Sequence, residues 1–146
     1  ICVLKETNSR LFLPGLLIAL AEGCLHTGAP ARGKAALDEA LDVIGTTGER
    51  WHEPWLYWVQ GELCASMKGV TAPQAESSFR TCITLARAQG ARWWELRGAR
   101  SLFNALVEQG KDDEAREMLG PVCHWFTEGL DTEDLRRSTA LLSSSP

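Results

Sequence analysis

Apolar residues recur every three or four positions through most of the chain, in segments of about 15 to 18 residues rich in Ala, Leu, Glu and Arg. This period matches the turn of an α-helix, whereas the alternation that marks a β-strand never extends beyond a few residues. Glycine-containing breaks separate the segments, and a glycine supplies the left-handed residue that ends a helix without steric strain. The pattern therefore predicts seven helices, at residues 9–27, 31–45, 50–68, 72–89, 91–109, 112–128 and 132–143.

The predicted helices form pairs that repeat about every 40 residues. The second helix of each pair carries a small residue, then a large apolar residue four positions later, then a smaller apolar residue three positions after that. The three copies of this spacing begin at Gly33, Ala75 and Ala115. The stretches GERWHEPWLYW, from Gly48, and GARWWELRGAR, from Gly90, open the second and third pairs, so they are copies of one structural element.

This spacing resembles the tetratricopeptide repeat (TPR), a helix–turn–helix unit, with a period longer than the usual 34 residues. More narrowly, the stretches GERWHEPWLYWVQGELCASMKG and WFTEGLDTEDLRRSTALL resemble the C-terminal TPR-like region of bacterial adenylate/guanylate cyclase proteins that also carry a P-loop ATPase domain. The resemblance implies an all-α, TPR-like array in a single domain, a right-handed superhelix of three helix pairs and a capping helix. Its expected parts are repeats at 9–48, 49–90 and 91–129, and the capping helix at 132–143.

The resemblance also implies a function. We expect a non-catalytic module for protein–protein interaction or intramolecular regulation, a C-terminal fragment of a larger cytoplasmic signalling protein. Its partner would be a protein, a peptide or another domain of the parent chain. The chain has neither the GxxxxGK[ST] loop of an ATPase nor the metal-binding aspartate pair of a cyclase, so we predict no enzyme activity and no cofactor.

The charge and hydropathy of the chain narrow the choice of partner. The formal net charge is -4 at pH 7, whereas nucleic acids and anionic membranes are bound through a basic face. The longest apolar run, residues 11–21, contains Pro14 and Gly15 and is too short to cross a membrane. We therefore expect neither nucleic acid nor membrane as a partner, and the oligomeric state stays open.

The cysteines and histidines do not suggest a metal site. Five cysteines without a CxxC motif are typical of free thiols in a reducing cytoplasm. Cys24, Cys64 and Cys82 fall at small-residue positions of the repeat, where a thiol packs as a compact apolar side chain. Cys123 and His124 are neighbours on a predicted helix, so they point in different directions and cannot easily hold one ion together.

The candidate binding site is a stripe of side chains on the first helix of successive pairs. In TPR-like arrays these helices line the concave groove, so indoles and guanidinium groups there would meet a peptide with acidic or aromatic residues. The positions are equivalent in the two copies and follow helical spacing. The stripe comprises Trp55, Trp58 and Glu62 after Trp51, and Arg97, Arg100 and Asn104 after Trp93; the first pair contributes Ile18, Glu22, Leu25 and His26.

Three alternatives stand beside this groove. In the first, the tryptophans fill the interface between helix pairs and the arginines stack on them, as packing. In the second, Arg97 and Arg100 bind a small acidic ligand against Trp55 or Trp58. In the third, the chain is a structural oligomerisation domain that pairs through its N-terminal end, at residues 1–10.

Overall fold

Seven α-helices and one short 3-10 turn make up most of the residues that the computed structural model describes, which are 12–67, 72–126 and 132–143. These ranges contain no β-strand, and the all-α prediction is confirmed for them. The helices are α1 (Leu13–His26), α2 (Pro30–Thr47), α3 (Glu53–Ser66), α4 (Ala72–Gln89), α5 (Arg92–Val107), α6 (Asp112–His124) and α7 (Glu133–Ser143), and the 3-10 turn is Arg50–His52.

Glycines end the helices where the sequence predicts. Gly28, Gly48, Gly90 and Gly110 have φ angles of 69°, 76°, 68° and 73°, in the left-handed region that a side chain disfavours. At Gly48, for example, the backbone N–H donates to the Ile44 carbonyl oxygen at 2.8 Å and closes α2. Prolines lie in the first turns of α1, α2 and α3, where the missing N–H costs no helical hydrogen bond.

Three predicted boundaries need correction. Helix α1 begins at Leu13, and residues 9–11 of the predicted segment lie outside the described residues. The predicted helix at 50–68 opens as a 3-10 turn, so Trp51 precedes α3 and does not belong to its stripe. The helix predicted at 112–128 ends at His124 and contains Pro121; residues 127 and 128 are outside the described ranges.

The helices pack as two layers. Each helix contacts its sequence neighbour, and the short connections make neighbouring helices antiparallel. In addition, α1 contacts α3, α3 contacts α5, and α5 contacts α7. The odd-numbered helices therefore form one layer, and the even-numbered helices lie against it as the second.

Small residues allow the layers to approach closely. A Cβ atom added to Gly61 of α3 would lie 2.3 Å from the ring of Phe79, which belongs to the small-x3-large spacing of α4. A Cβ on Gly98 of α5 would lie 3.0 Å from Cys82 Sγ. In this copy of the repeated spacing, the large side chain of Phe79 therefore fills the space left by Gly61.

The buried side chains form two clusters. The first joins α1, α2 and α3, and the second joins α4, α5, α6 and α7. Trp58, half-buried on α3, packs against both clusters. This indole therefore connects the two parts of the core.

A buried carboxylate fixes the turn between α4 and α5. Glu95 is almost fully buried and accepts hydrogen bonds from Arg87 at 2.8 Å and from Arg92 at 2.7 Å. The guanidinium of Arg92 also lies 4.3 Å from the centre of the Trp125 ring, at the end of α6. The two arginines pair with the buried Glu95 carboxylate, whose charge would be costly to bury alone.

Candidate functional site

Two indoles of the predicted stripe, Trp55 and Trp58, contact the ring of Trp94. The Trp55 and Trp94 rings are stacked with their centres 5.8 Å apart, and Trp58 is tilted against Trp94 at 6.0 Å. Trp55 and Trp58 belong to α3 and Trp94 to α5, so the rings link two successive helix pairs. Aromatic pairs of this kind stabilise a contact by more than the area that they bury.

Arg97 covers two of these indoles. Its guanidinium carbon lies 5.2 Å from the centre of the Trp58 ring and 5.4 Å from that of Trp94. At these distances the cation is attracted to the electron-rich faces of both rings. The arginine is therefore held by contacts inside the chain.

An acidic residue of α7 binds both predicted arginines. The Asp134 carboxylate accepts a hydrogen bond from Arg97 Nε at 3.4 Å and pairs with Arg100 through its other oxygen. Burial by itself would raise the pKa of Asp134, but the hydrogen bonds and charges of Arg100 and Arg97 outweigh burial and hold this pKa below its ordinary value. The carboxylate thus attaches the last helix to α5.

Two further hydrogen bonds extend from the indoles. Trp58 Nε1 donates to Ser101 Oγ at 3.0 Å, and this hydroxyl donates to Glu62 Oε1 at 2.5 Å. Trp55 Nε1 donates to Glu22 Oε2 at 3.0 Å, between α3 and α1. Both indole N–H groups are therefore satisfied, as expected for half-buried tryptophans.

These contacts have the form that the packing alternative describes, since indoles lie between helix pairs and an arginine stacks on them. Ile18, which the alignment placed on the groove, is fully buried in the core instead. Asn104 is exposed at the end of the stripe. Of the six predicted residues, Asn104 is therefore the one whose side chain is presented most openly.

A cleft of about 470 Å³ nevertheless opens along the stripe, between α3, α5 and α7. Trp58, Leu141 and Ala140 form its apolar wall. Arg137 of α7 lies at its rim and pairs with Glu133, both largely exposed. The remaining lining residues are Glu62, Arg100, Ser101 and Asn104, so four of the six predicted residues line the cleft.

A second cleft, of about 580 Å³, lies beside α4 and the start of α6. Its polar groups are already paired with one another: Glu76 accepts hydrogen bonds from Arg80 at 2.9 Å, from Gln109 at 3.1 Å and from Lys111 at 3.5 Å. None of the described residues that line it is aromatic. The cleft along the stripe, which combines an indole wall with exposed polar groups, is the better candidate.

Sequence reasoning missed three residues of the site. Trp94, rather than its neighbour Trp93, meets the indoles of α3. Ser101 and Asp134 supply the hydrogen bonds to Trp58 and the arginines. Asp134 could have been noticed in the sequence as an acidic residue in the first turn of a predicted helix, but this position does not indicate which residues it pairs with.

The prediction that cysteines pack as compact apolar side chains is confirmed in part. Cys24 and Cys82 are buried and Cys64 is half-buried. Burial raises the pKa of Cys82 to about 12 and also raises that of Cys123, so neither thiol favours the reactive thiolate form. Within residues 12–67, 72–126 and 132–143, no group of three or more His, Cys, Asp or Glu side chains is placed to hold a metal ion.

Comparisons with known proteins do not place the chain in a family: no family model, curated protein or solved structure matches it. Among the described helices, none is long and apolar enough to span a membrane.

Proposed function

We propose that the chain is a non-catalytic interaction module that holds a peptide segment in the cleft between α3, α5 and α7. The segment belongs to a partner protein or to another domain of the same parent chain. The observation that carries this proposal is the composition of the cleft wall. Trp58 and Leu141 supply an apolar surface, and Asn104 and Arg137 lie open at its edge.

The physical basis is an apolar anchor with a polar rim. An apolar side chain of the peptide would bury itself against the Trp58 indole, and aromatic walls of this kind often dominate binding energy. Asn104 both donates and accepts hydrogen bonds, so it suits a peptide backbone. Arg137 pairs with Glu133, but both side chains are largely exposed and such a pair is weak, so an acidic residue of the peptide can compete for the guanidinium at the rim, where such pairs set orientation more than affinity.

The two arginines of α5 have a different role in this proposal from the one predicted. Arg97 and Arg100 are paired with Asp134, and so they fix the cleft wall instead of presenting a free charge. A peptide seated in the cleft would touch α7 together with α3 and α5. Binding would then stabilise the docked position of α7, which is a means of passing a signal to neighbouring parts of a larger protein.

We further propose, on the resemblance in the sequence, that the parent is a cytoplasmic signalling protein of the adenylate/guanylate cyclase type. Its TPR-like superhelix would present the cleft on the concave side. The two-layer packing of the odd- and even-numbered helices supports this arrangement. Regulation of a parent enzyme, rather than catalysis, is the role that such a module would have.

A small ligand is the second candidate occupant, because the volume of about 470 Å³ falls within the range of small-molecule sites. Such a ligand would combine an apolar part with an anionic or hydrogen-bonding group. The same cleft residues would bind it. The size of the molecule that binds therefore distinguishes a peptide from a small ligand.

Selection from a random peptide library displayed on phage tests the proposal. We expect enrichment of peptides with an aromatic or large aliphatic residue near an acidic one, and binding weakened about three- to fivefold by Arg137→Ala or Asn104→Ala, as for exposed rim contacts of up to about 1 kcal/mol. Arg136→Ala is the matched control, since Arg136 is exposed on α7 but does not line the cleft. Absence of enrichment, or equal binding by the Arg137 and Arg136 variants, would contradict peptide binding in this cleft; a small-fragment screen then tests the second candidate.

A further inference from the structure

The cleft between α3, α5 and α7 is lined by three charged side chains, which are Glu62, Arg100 and Arg137. Arg100 is paired with Asp134, and Arg137 is paired with Glu133. Within residues 12–67, 72–126 and 132–143, no cation forms an ion pair with Glu62. In this part of the chain, Glu62 is therefore the charge of the cleft lining that has no counterion.

Hydrogen bonds hold the Glu62 carboxylate at the wall of the cleft. The Trp58 indole N–H donates to Ser101 Oγ, so this hydroxyl directs its own proton to Glu62 Oε1. The second oxygen, Oε2, accepts no hydrogen bond from the described residues and is accessible to solvent. The carboxylate is thus oriented before a ligand arrives, and less conformational freedom is lost on binding.

The arginines of α5 do not pair with this carboxylate. Arg97 and Arg100 both bind the Asp134 carboxylate, which belongs to α7. Arg97 also lies over the faces of Trp58 and Trp94, so the surplus positive charge of the two arginines is held by the indoles. Glu62 is left to interact with a group from outside the chain.

A peptide segment seated in the cleft would cover Glu62, which is half-buried already. Covering a carboxylate removes water from it, and the lost hydration is costly unless a donor of the segment replaces the water. A cationic donor compensates best, because it supplies the opposite charge together with the hydrogen bond. The covered cleft therefore favours a basic residue at this position.

The neighbouring indole suits the stem of a basic side chain. Trp58 precedes Glu62 by four residues on α3, which is about 6 Å along the helix axis. The methylene stem of a lysine or arginine packs along apolar surface while its charged end reaches a polar partner. A basic side chain that crosses the Trp58 ring would bring its charge to Glu62 Oε2.

We propose that Glu62 determines the specificity of the cleft by binding a lysine or arginine of the seated segment. This inference rests on the proposed function of the cleft and defines the partner more narrowly. Glu62 belongs to α3 and Arg137 to α7, so the two walls of the cleft carry opposite charges. The segment therefore has a basic residue on one side of its apolar anchor and an acidic residue on the other.

Peptides selected on the unchanged chain from a phage library test this charge pattern. We expect the enriched peptides to contain a lysine or arginine besides the apolar and acidic residues. The tightest peptide is synthesised with its basic residue intact and with this residue replaced by glutamine, and fluorescence anisotropy measures the dissociation constants. Glu62→Gln removes the charge but keeps an oxygen that accepts from Ser101, so the hydrogen bonds from Trp58 are preserved.

The four combinations of protein and peptide form a double-mutant cycle. Glu62→Gln should weaken binding of the basic peptide about fivefold and leave binding of the glutamine peptide nearly unchanged. Glu53→Gln is the matched control, since Glu53 is half-buried on the same helix, does not line the cleft and loses the same charge. Circular dichroism checks the helix content of both variants, and the control should bind both peptides like the unchanged chain.

A charge reversal tests the same contact independently. With its basic residue replaced by glutamate, the peptide should bind Glu62→Lys more tightly than it binds the unchanged chain, and the opposite preference would contradict the contact. Enriched peptides without a basic residue, or equal weakening of both peptides by Glu62→Gln, would overturn the role of Glu62. Peptide binding in the cleft would still stand if Arg137→Ala weakened it, whereas a selection that enriches no peptide would overturn both proposals.

Discussion

The Trp58 indole of α3 donates its Nε1–H to the Ser101 hydroxyl of α5 at 3.0 Å. The same ring packs against both hydrophobic clusters, so a residue of the candidate cleft also joins the two parts of the core. Trp58 therefore contributes to the stability of the fold and, in our proposal, to binding, and the two contributions can be measured separately.

We expect Trp58→Phe to lower the free energy of unfolding by about 1–2 kcal/mol, because it removes a half-buried hydrogen bond and part of an aromatic contact. Trp51→Phe is the matched control: Trp51 is 59% exposed, so its change should stay within about 0.5 kcal/mol. Urea unfolding followed by circular dichroism measures both variants. Equal losses in the two would mean that Trp58 does not connect the clusters energetically.

The close approach of α3 and α4 predicts opposite effects for two glycine substitutions. Gly61→Ala should destabilise the fold by about 1–3 kcal/mol, because the new methyl group would overlap the Phe79 ring. Gly45→Ala, within α2 and with open space around its added Cβ, should stabilise it by about 0.5–1 kcal/mol. Thermal unfolding compares them, and a neutral Gly61→Ala would contradict the packing between the layers.

The pairing of Asp134 with two arginines predicts an acid-dependent contribution to stability. The pKa of Asp134 is below its ordinary value in the folded state, so its stabilising effect is complete above about pH 5 and is lost as the pH falls through the folded pKa. Asp134→Asn should cost about 2 kcal/mol at neutral pH, and the difference from the unchanged chain should shrink in acid. A difference that is independent of pH between 2 and 7 would show that the charge of Asp134 is not what attaches α7.

His52 predicts a second pH effect of different origin. Its ring packs on α1 with Nε2 buried and unpaired. Burial lowers the pKa of His52, and this effect outweighs the charge of Glu49, which raises it. Since the unfolded chain then binds a proton more readily, stability should fall as the pH drops from about 6.5 towards the folded pKa. His52→Phe should remove this part of the pH dependence, whereas an unchanged profile would assign it to other groups.

The sequence predicted the helices well because their signals are local. Glycines in the left-handed conformation at residues 48, 90 and 110 end helices with little help from tertiary contacts. The small-x3-large spacing likewise marks the second helix of each pair, and its Phe79 lies beside Gly61 of the neighbouring layer. These features depend on residues within a few turns of one another.

The candidate site was predicted less completely because its contacts are not local. A 3-10 turn at Arg50–His52 displaces Trp51 from the stripe of α3, and α5 begins so that Trp94 rather than Trp93 faces the indoles. The hydrophobic periodicity of the sequence does not determine the start of a helix to within one residue. The pairing of Arg100 with Asp134 joins residues 34 positions apart and depends on how α7 docks, which the spacing of the arginines does not reveal.

Titration of the isotope-labelled chain with a peptide selected on it tests the cleft most directly, through the indole N–H resonances of its six tryptophans. If the cleft is the binding site, the resonance of Trp58 shifts with saturation, and Arg137→Ala weakens the response while Arg136→Ala leaves it unchanged. Shifts confined to the exposed indoles of Trp51, Trp93 and Trp125, with Trp58 unaffected, would contradict the proposed site.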